Sequence, residues 1–143
     1  MRIRALVLVA SLTVALAACG SGEPAASPSS TTATTAPVTV DLSKASFTDK
    51  TASKVAEVNA LDNTFEAQYT EIKAGTTVRF RNSGHNEHNV VALDKAFKGA
   101  ATDKFEPDTE YTVTFDKPGD YPYYCSLHGT PAKGMSGAIR VVK

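Results

Sequence analysis

The chain has 143 residues, with 15 basic and 15 acidic side chains and a formal net charge of zero. No basic run or face is visible, which argues against a nucleic-acid partner. The length suits one domain with additional segments.

The first segment reads as a leader. Arg2 and Arg4 precede "ALVLVASLTVALAA", an uncharged apolar run too short for a comfortable membrane span. Basic residues, an apolar run and small residues together predict a secretory signal peptide over residues 1–18. The run ends in "LAAC", followed by Gly20. This resembles the lipobox of bacterial lipoproteins. The resemblance implies cleavage before Cys19 and a diacylglycerol thioether on its sulfur, and so an extracytoplasmic protein anchored at the cell membrane. Each buried methylene of such an anchor contributes about 0.8 kcal/mol. Residues 19–40 then form a linker of Ser, Thr, Ala and Pro that lacks the apolar residues a core needs. A flexible chain of that length spans about 25 Å.

Residues 41–143 are expected to form one domain of short strands. In "KVAEVNAL", residues 54–61, Ala56, Val58 and Ala60 share one side. "EIKAGTTVRFRNSG" predicts a strand, an Ala-Gly turn and a second strand with Val78 and Phe80 inward and Arg79 and Arg81 outward. "HNVVAL", residues 88–93, is a continuous run suited to a buried strand. Residues 94–108 hold Phe97 and Phe105 among charges, and are expected to be a loop with a short helical turn. "EYTVTFDKPGDYPYYC" gives two more strands, with Pro118 and Gly119 suited to the centre of a type II turn. Tyr121 and Tyr123 share the parity of Cys125 and should face the core, whereas Tyr124 should be exposed. "GAIRVVK" supplies the last strand. No segment has capped helical periodicity, and no internal repeat is visible. Many short strands with Gly and Pro turns predict an all-β sandwich or barrel.

The chain has two cysteines. If Cys19 carries lipid, Cys125 has no partner for a disulfide within the chain. Cys125 lies at a strand end, with His128 just beyond it and Met135 where the loop returns to the final strand. Singly, each has an ordinary explanation: an inert buried thiol, a surface imidazole, a core filler. Together they form a donor set. Mg²⁺ and Ca²⁺ want oxygen ligands, and structural zinc wants four strong Cys or His donors. A thiolate, imidazole and weak thioether select copper, and two His plus one Cys with a distant Met describe a blue-copper electron-transfer site. That site needs another histidine, and "HNEHNVV" offers His85 and His88. His88 is favoured because it borders the apolar run, whereas nothing in the polar stretch 82–87 anchors His85.

"EHNVVAL" and "PGDYPYYCSLHGTPAKGMSGAIRVV" resemble the matching segments of cupredoxins of the plastocyanin type, over roughly residues 54–143. The resemblance implies a Greek-key β-sandwich holding one type 1 copper ion through His88, Cys125, His128 and Met135. It also implies that the Asn89 backbone N–H donates to the cysteine sulfur, while the Asn89 side chain ties its strand to Ser126. One departure is present: six residues separate His128 from Met135, more than in typical plastocyanins, so they must loop outward.

The expected function is single-electron shuttling between Cu(II) and Cu(I), with transient redox protein partners docking around His128 on Leu127, Gly129, Pro131 and Ala132. The chain is read as a monomer, and as a carrier rather than an enzyme. It has none of the common catalytic motifs, no apparent small-molecule substrate, and only three histidines, too few for a second copper centre. Copper storage or delivery without electron traffic is the alternative; an accessory domain of a copper oxidase is a weaker one. The lipobox predicts that Cys19→Ala shifts the protein from the membrane fraction to the soluble extracytoplasmic fraction. Fractionation and immunoblotting check this; a variant as firmly membrane-bound as the parent would remove Cys19 as the anchor.

Overall fold

Alternation of side chains sets the architecture. In β2 (Val55–Leu61) Ala56, Val58 and Ala60 are buried, and in β5 (Thr76–Asn82) Val78 and Phe80 are fully buried. Arg79 and Arg81 face out, as expected from the two-residue period of a strand. The computed structural model describes residues 39–143, and there the chain forms nine strands, two single 3-10 turns and no α-helix. The leader, Cys19 and nearly all of the linker lie outside the described residues.

The other strands are β1 (Thr48–Asp49), β3 (Thr64–Glu66), β4 (Tyr69–Lys73), β6 (Val91–Ala92), β7 (Glu110–Phe115), β8 (Gly119–Thr130) and β9 (Lys133–Val142). They build a five-stranded sheet, β1-β4-β9-β8-β6, and a four-stranded sheet, β3-β2-β5-β7. This is the expected all-β sandwich.

The turn at Ala74 and Gly75 is present as expected, and like the Pro118-Gly119 connection it crosses between sheets. The strands either side of Ala74 and Gly75, β4 and β5, lie in different sheets and do not pair. Gly75, at φ +84°, donates to the Phe115 carbonyl, and Ala74 donates to the Val142 carbonyl. The turn thus fastens one sheet to the other. Likewise β7 and β8 belong to different sheets. Gly119 sits at φ +154°, away from the roughly +80° of a type II turn. Pro118 and Gly119 carry the chain over the sandwich edge, where the Tyr121 hydroxyl donates to the Lys117 carbonyl at 2.8 Å.

The run after His88 is also less regular than expected. Only Val91 and Ala92 join β8, while Val90 exchanges both backbone hydrogen bonds with Ala100. Gly99 makes this possible: a Cβ there would lie 1.9 Å from the Val90 carbonyl oxygen. Of the two 3-10 turns, Leu93–Lys95 is left-handed at Asp94 (φ +52°) and Lys95 (φ +56°), so Thr102–Lys104 alone is the expected helical turn in the loop 94–108.

The core lies between the sheets. Phe80 meets Tyr123 edge-on at 5.1 Å, and Tyr123 meets Phe65 at 5.0 Å. Burial pushes the Tyr123 phenol above its ordinary pKa, so it stays neutral. On the outer face Arg79 pairs with Glu57 and Arg81 with Glu110. These half-exposed pairs contribute at most about 1 kcal/mol each, so burial dominates stability. Phe80→Ala is therefore expected to destabilise the fold by about 3–5 kcal/mol in denaturant unfolding. A loss under about 1 kcal/mol would place the ring outside the load of the core.

Candidate metal centre

The site begins with a mismatch in register between β8 and β9. Tyr124 faces Ser136, yet Gly129 faces Gly134. Residues 125–128 therefore stand against Met135 alone, and the β8 side bulges. Beyond the bulge the ladder resumes: Gly129 pairs with Gly134 and Thr130 with Lys133, leaving Pro131 and Ala132 at the tip. The six residues between His128 and Met135 thus form a projecting hairpin that returns Met135 opposite His128. Gly134 takes φ +81°, and a Cβ there would lie 2.7 Å from the His128 carbonyl oxygen.

Three donors converge. His88 and Cys125 are fully buried and His128 is half-buried. The two Nδ1 atoms lie 3.1 Å apart. Cys125 Sγ lies 3.8 Å from His88 Nδ1 and 3.6 Å from His128 Nδ1. A point equidistant from the three is about 2 Å from each, the length of a metal–imidazole bond. His88 Nε2 has no hydrogen-bond partner among the described residues, so the ring's only polar contacts are on the Nδ1 side. Met135 is fully buried in the same apolar cluster as Cys125. Burial, reinforced by the neighbouring His128, holds the His88 imidazole below its ordinary pKa of 6.5. Its neutral form, the one able to bind a metal, is favoured near neutral pH. One ion fits these donors, and their chemistry is that of copper.

Asn89 organises the surroundings. Its backbone N–H donates to Cys125 Sγ at 3.5 Å. Its side chain donates to Ser126 Oγ at 2.9 Å and accepts from the Ser126 backbone N–H at 2.8 Å. Both residues are where the resemblance put them. Thr102 Oγ1, 3.4 Å from Asn89 Nδ2, was not foreseen, since residues 94–108 carry no periodic signal.

His85 stands apart. Its side chain is 96 % exposed, with Nδ1 3.2 Å from Asp62 Oδ2. The stretch 82–87 is nonetheless anchored, contrary to the expectation from its polarity. Asp62 Oδ1 accepts the backbone N–H groups of His85 at 2.7 Å and Asn86 at 3.2 Å. These bonds hold the Asp62 carboxyl below its ordinary pKa. Around the centre, Leu127 is 51 % exposed and Pro131 half-buried. Tyr124 is half-buried rather than exposed, pairing in register with Val91.

Residues 51–142 match the family model described as copper binding proteins, plastocyanin/azurin family. The chain belongs to this family. It is 34% identical over 85 residues to plastocyanin of Scenedesmus fuscus, covering 54% of this chain and 85% of that one. The chain spans about half the length of some other plastocyanins it matches, such as that of Hordeum vulgare (54%). Among solved structures, amicyanin from Paracoccus versutus superposes with a TM-score of 0.51 at 28% identity, over 62% of this chain and 81% of that one. The copper-containing nitrite reductase of Thermus scotoductus gives 0.50 at 32% identity, over 62% of this chain but 22% of that one. Membership makes the chain a plastocyanin-like cupredoxin with copper as its cofactor, in agreement with the donor set.

His88→Ala should lose tight copper binding, whereas His85→Ala should leave it within about twofold. Competition titration with a copper chelator checks both. The reverse pattern would reassign the upstream histidine.

Proposed function

We propose that this cupredoxin is an electron carrier that binds one type 1 copper ion through His88 Nδ1, Cys125 Sγ, His128 Nδ1 and the Met135 thioether. The observation that carries the reading is the convergence of two imidazole nitrogens on a buried thiol that also receives the Asn89 N–H. Bound copper supplies a one-electron couple. The chain's own residues supply the rest. Cys125 and His88 are closed off from water, which opposes metal exchange and speaks against delivery as the main role. The Asn89 N–H stabilises charge on the sulfur. Positions fixed by backbone and side-chain hydrogen bonds keep rearrangement small when the charge of the centre changes.

His128 is the half-exposed ligand, and Leu127, Gly129, Pro131 and Ala132 surround it with a small, mostly apolar surface. Such a patch suits brief contact with redox protein partners. The reading as a carrier is built on the one cluster of His, Cys, Asp and Glu able to hold a metal among the described residues, His88, Cys125 and His128. The remaining histidine, His85, is turned to solvent. With Cys19 as the lipid attachment, the linker would hold a monomeric domain at the outer face of a bacterial cell membrane and restrict its search to partners there.

The test is optical and electrochemical. The Cu(II)-loaded chain should show intense visible absorption from thiolate-to-copper charge transfer and a reversible one-electron wave, and should bleach on reduction. Cys125→Ala should abolish the colour. A colourless copper complex, or colour that survives in Cys125→Ala, would falsify the site assignment.

A further inference from the structure

We propose that Asn82 is a positioning residue for the metal centre, holding the backbone that carries His88 in place before any metal arrives. The inference rests on the copper-site reading above, and it concerns a residue that touches none of the donor atoms.

Asn82 ends β5 and is fully buried. A buried amide is tolerated only when its polar atoms are paired. Nδ2 donates to the Asn86 carbonyl at 2.9 Å and to the Phe105 carbonyl at 3.0 Å. Oδ1 accepts the Gly84 N–H at 3.1 Å. Two carbonyl oxygens on one side and an N–H on the other leave no doubt about which end of the amide is nitrogen. The Phe105 carbonyl also accepts the His88 N–H at 3.4 Å. One side chain therefore ties both ends of the stretch 84–86 and shares an acceptor with the backbone of His88.

The need is evident from what surrounds it. Residues 83–87 supply no buried side chain, and the rings and carboxylates of His85 and Glu87 face solvent. Nothing apolar pins the path from β5 to His88, so the Asn82 amide from within, with the Asp62 carboxylate from outside, takes the place of a hydrophobic anchor. Its main chain is fixed in turn: Asn82 N–H donates to the Thr109 carbonyl at 2.9 Å and its carbonyl accepts from Asp108 at 2.9 Å. The chemistry also explains the residue type. An aspartate would aim a negative oxygen at two carbonyls. A leucine would leave two carbonyls and an N–H unpaired, and a serine is too short to reach across. Held in this way, His88 Nδ1 already lies within 3.8 Å of Cys125 Sγ and 3.1 Å of His128 Nδ1.

The experiment compares Asn82→Ala with Val58→Ala, a core truncation in β2 outside the 82–88 stretch, both in the full chain. In the metal-free protein, amide hydrogen exchange at Gly84 and His88 should be about tenfold faster in Asn82→Ala when normalised to amides in β9, as the loss of one or two buried hydrogen bonds predicts. Val58→Ala should accelerate exchange without that local excess. With Cu(II) bound, the electron paramagnetic resonance hyperfine pattern should change in Asn82→Ala and not in Val58→Ala. If a folded Asn82→Ala keeps wild-type normalised exchange and an unchanged hyperfine pattern, the proposal is overturned. Should the variant not fold, couplings across hydrogen bonds from the Asn82 side-chain amide to the Asn86 and Phe105 carbonyls are measured in the wild type; their absence overturns it equally. A chain that is never blue, yet shows the local exchange effect, refutes the electron-carrier reading and leaves the positioning role standing.

Discussion

Two reciprocal hydrogen bonds between Asn89 and Ser126 join the stretch carrying His88 to the strand carrying Cys125. Those segments are far apart in sequence, and no continuous ladder links them at this point, since β6 pairs with β8 only at Tyr123 and Tyr124. Each bond contributes about 1 kcal/mol to stability, little beside the core. Their effect is directional. They set the Asn89 N–H on the sulfur and bring the buried imidazole to within bonding range of the same point in space as Cys125 and His128.

The rest of the site divides its work between two sides. Within, His88, Cys125 and Met135 are packed into the same interior that holds Tyr123 and Phe80, so their positions inherit the rigidity of the sandwich. At the rim, the bulge of residues 125–128 brings His128 toward the surface and leaves Leu127 outside. Glycines at 129 and 134 let the hairpin backbones approach closely. A Cβ on Gly129 would lie 2.5 Å from the Met135 nitrogen. The unusual length of this loop is thereby absorbed as a two-strand projection, and the ligand spacing that looked discordant in sequence becomes a matter of register.

Much of this was legible from the residues. Alternation in β2 and β5 identified Val58, Val78 and Phe80 as core, and the order of Cys125, His128 and Met135 pointed to candidate donors, of which Cys125 and His128 converge with His88. The features without a local signal depend on distant partners. Ala74 and Gly75 look like a turn in any sheet, and nothing local says that the next strand will enter the opposite one. Residues 94–108 have no period because they are held by long-range bonds, Val90 with Ala100 and Asn82 with Phe105. Parity put Tyr124 outward, but a short neighbouring strand half-covers it. The polar stretch 82–87 seemed loose because its anchors, Asp62 and Asn82, act through backbone amides and carbonyls rather than through hydrophobic contact.

The crossings between sheets bear on how the molecule comes into being. Strands β2 and β5, and β4 and β9, pair in parallel, and such pairs cannot form as local hairpins. Pairings of this kind require closure of long loops before any reward, and so they form late and slowly. His88 meets His128 across 40 positions of sequence. Sequence alone keeps Cys125 and His128 near each other, whereas His88 joins them only through the fold. The convergence of the three donors is thus a property of the closed sandwich and of no single segment.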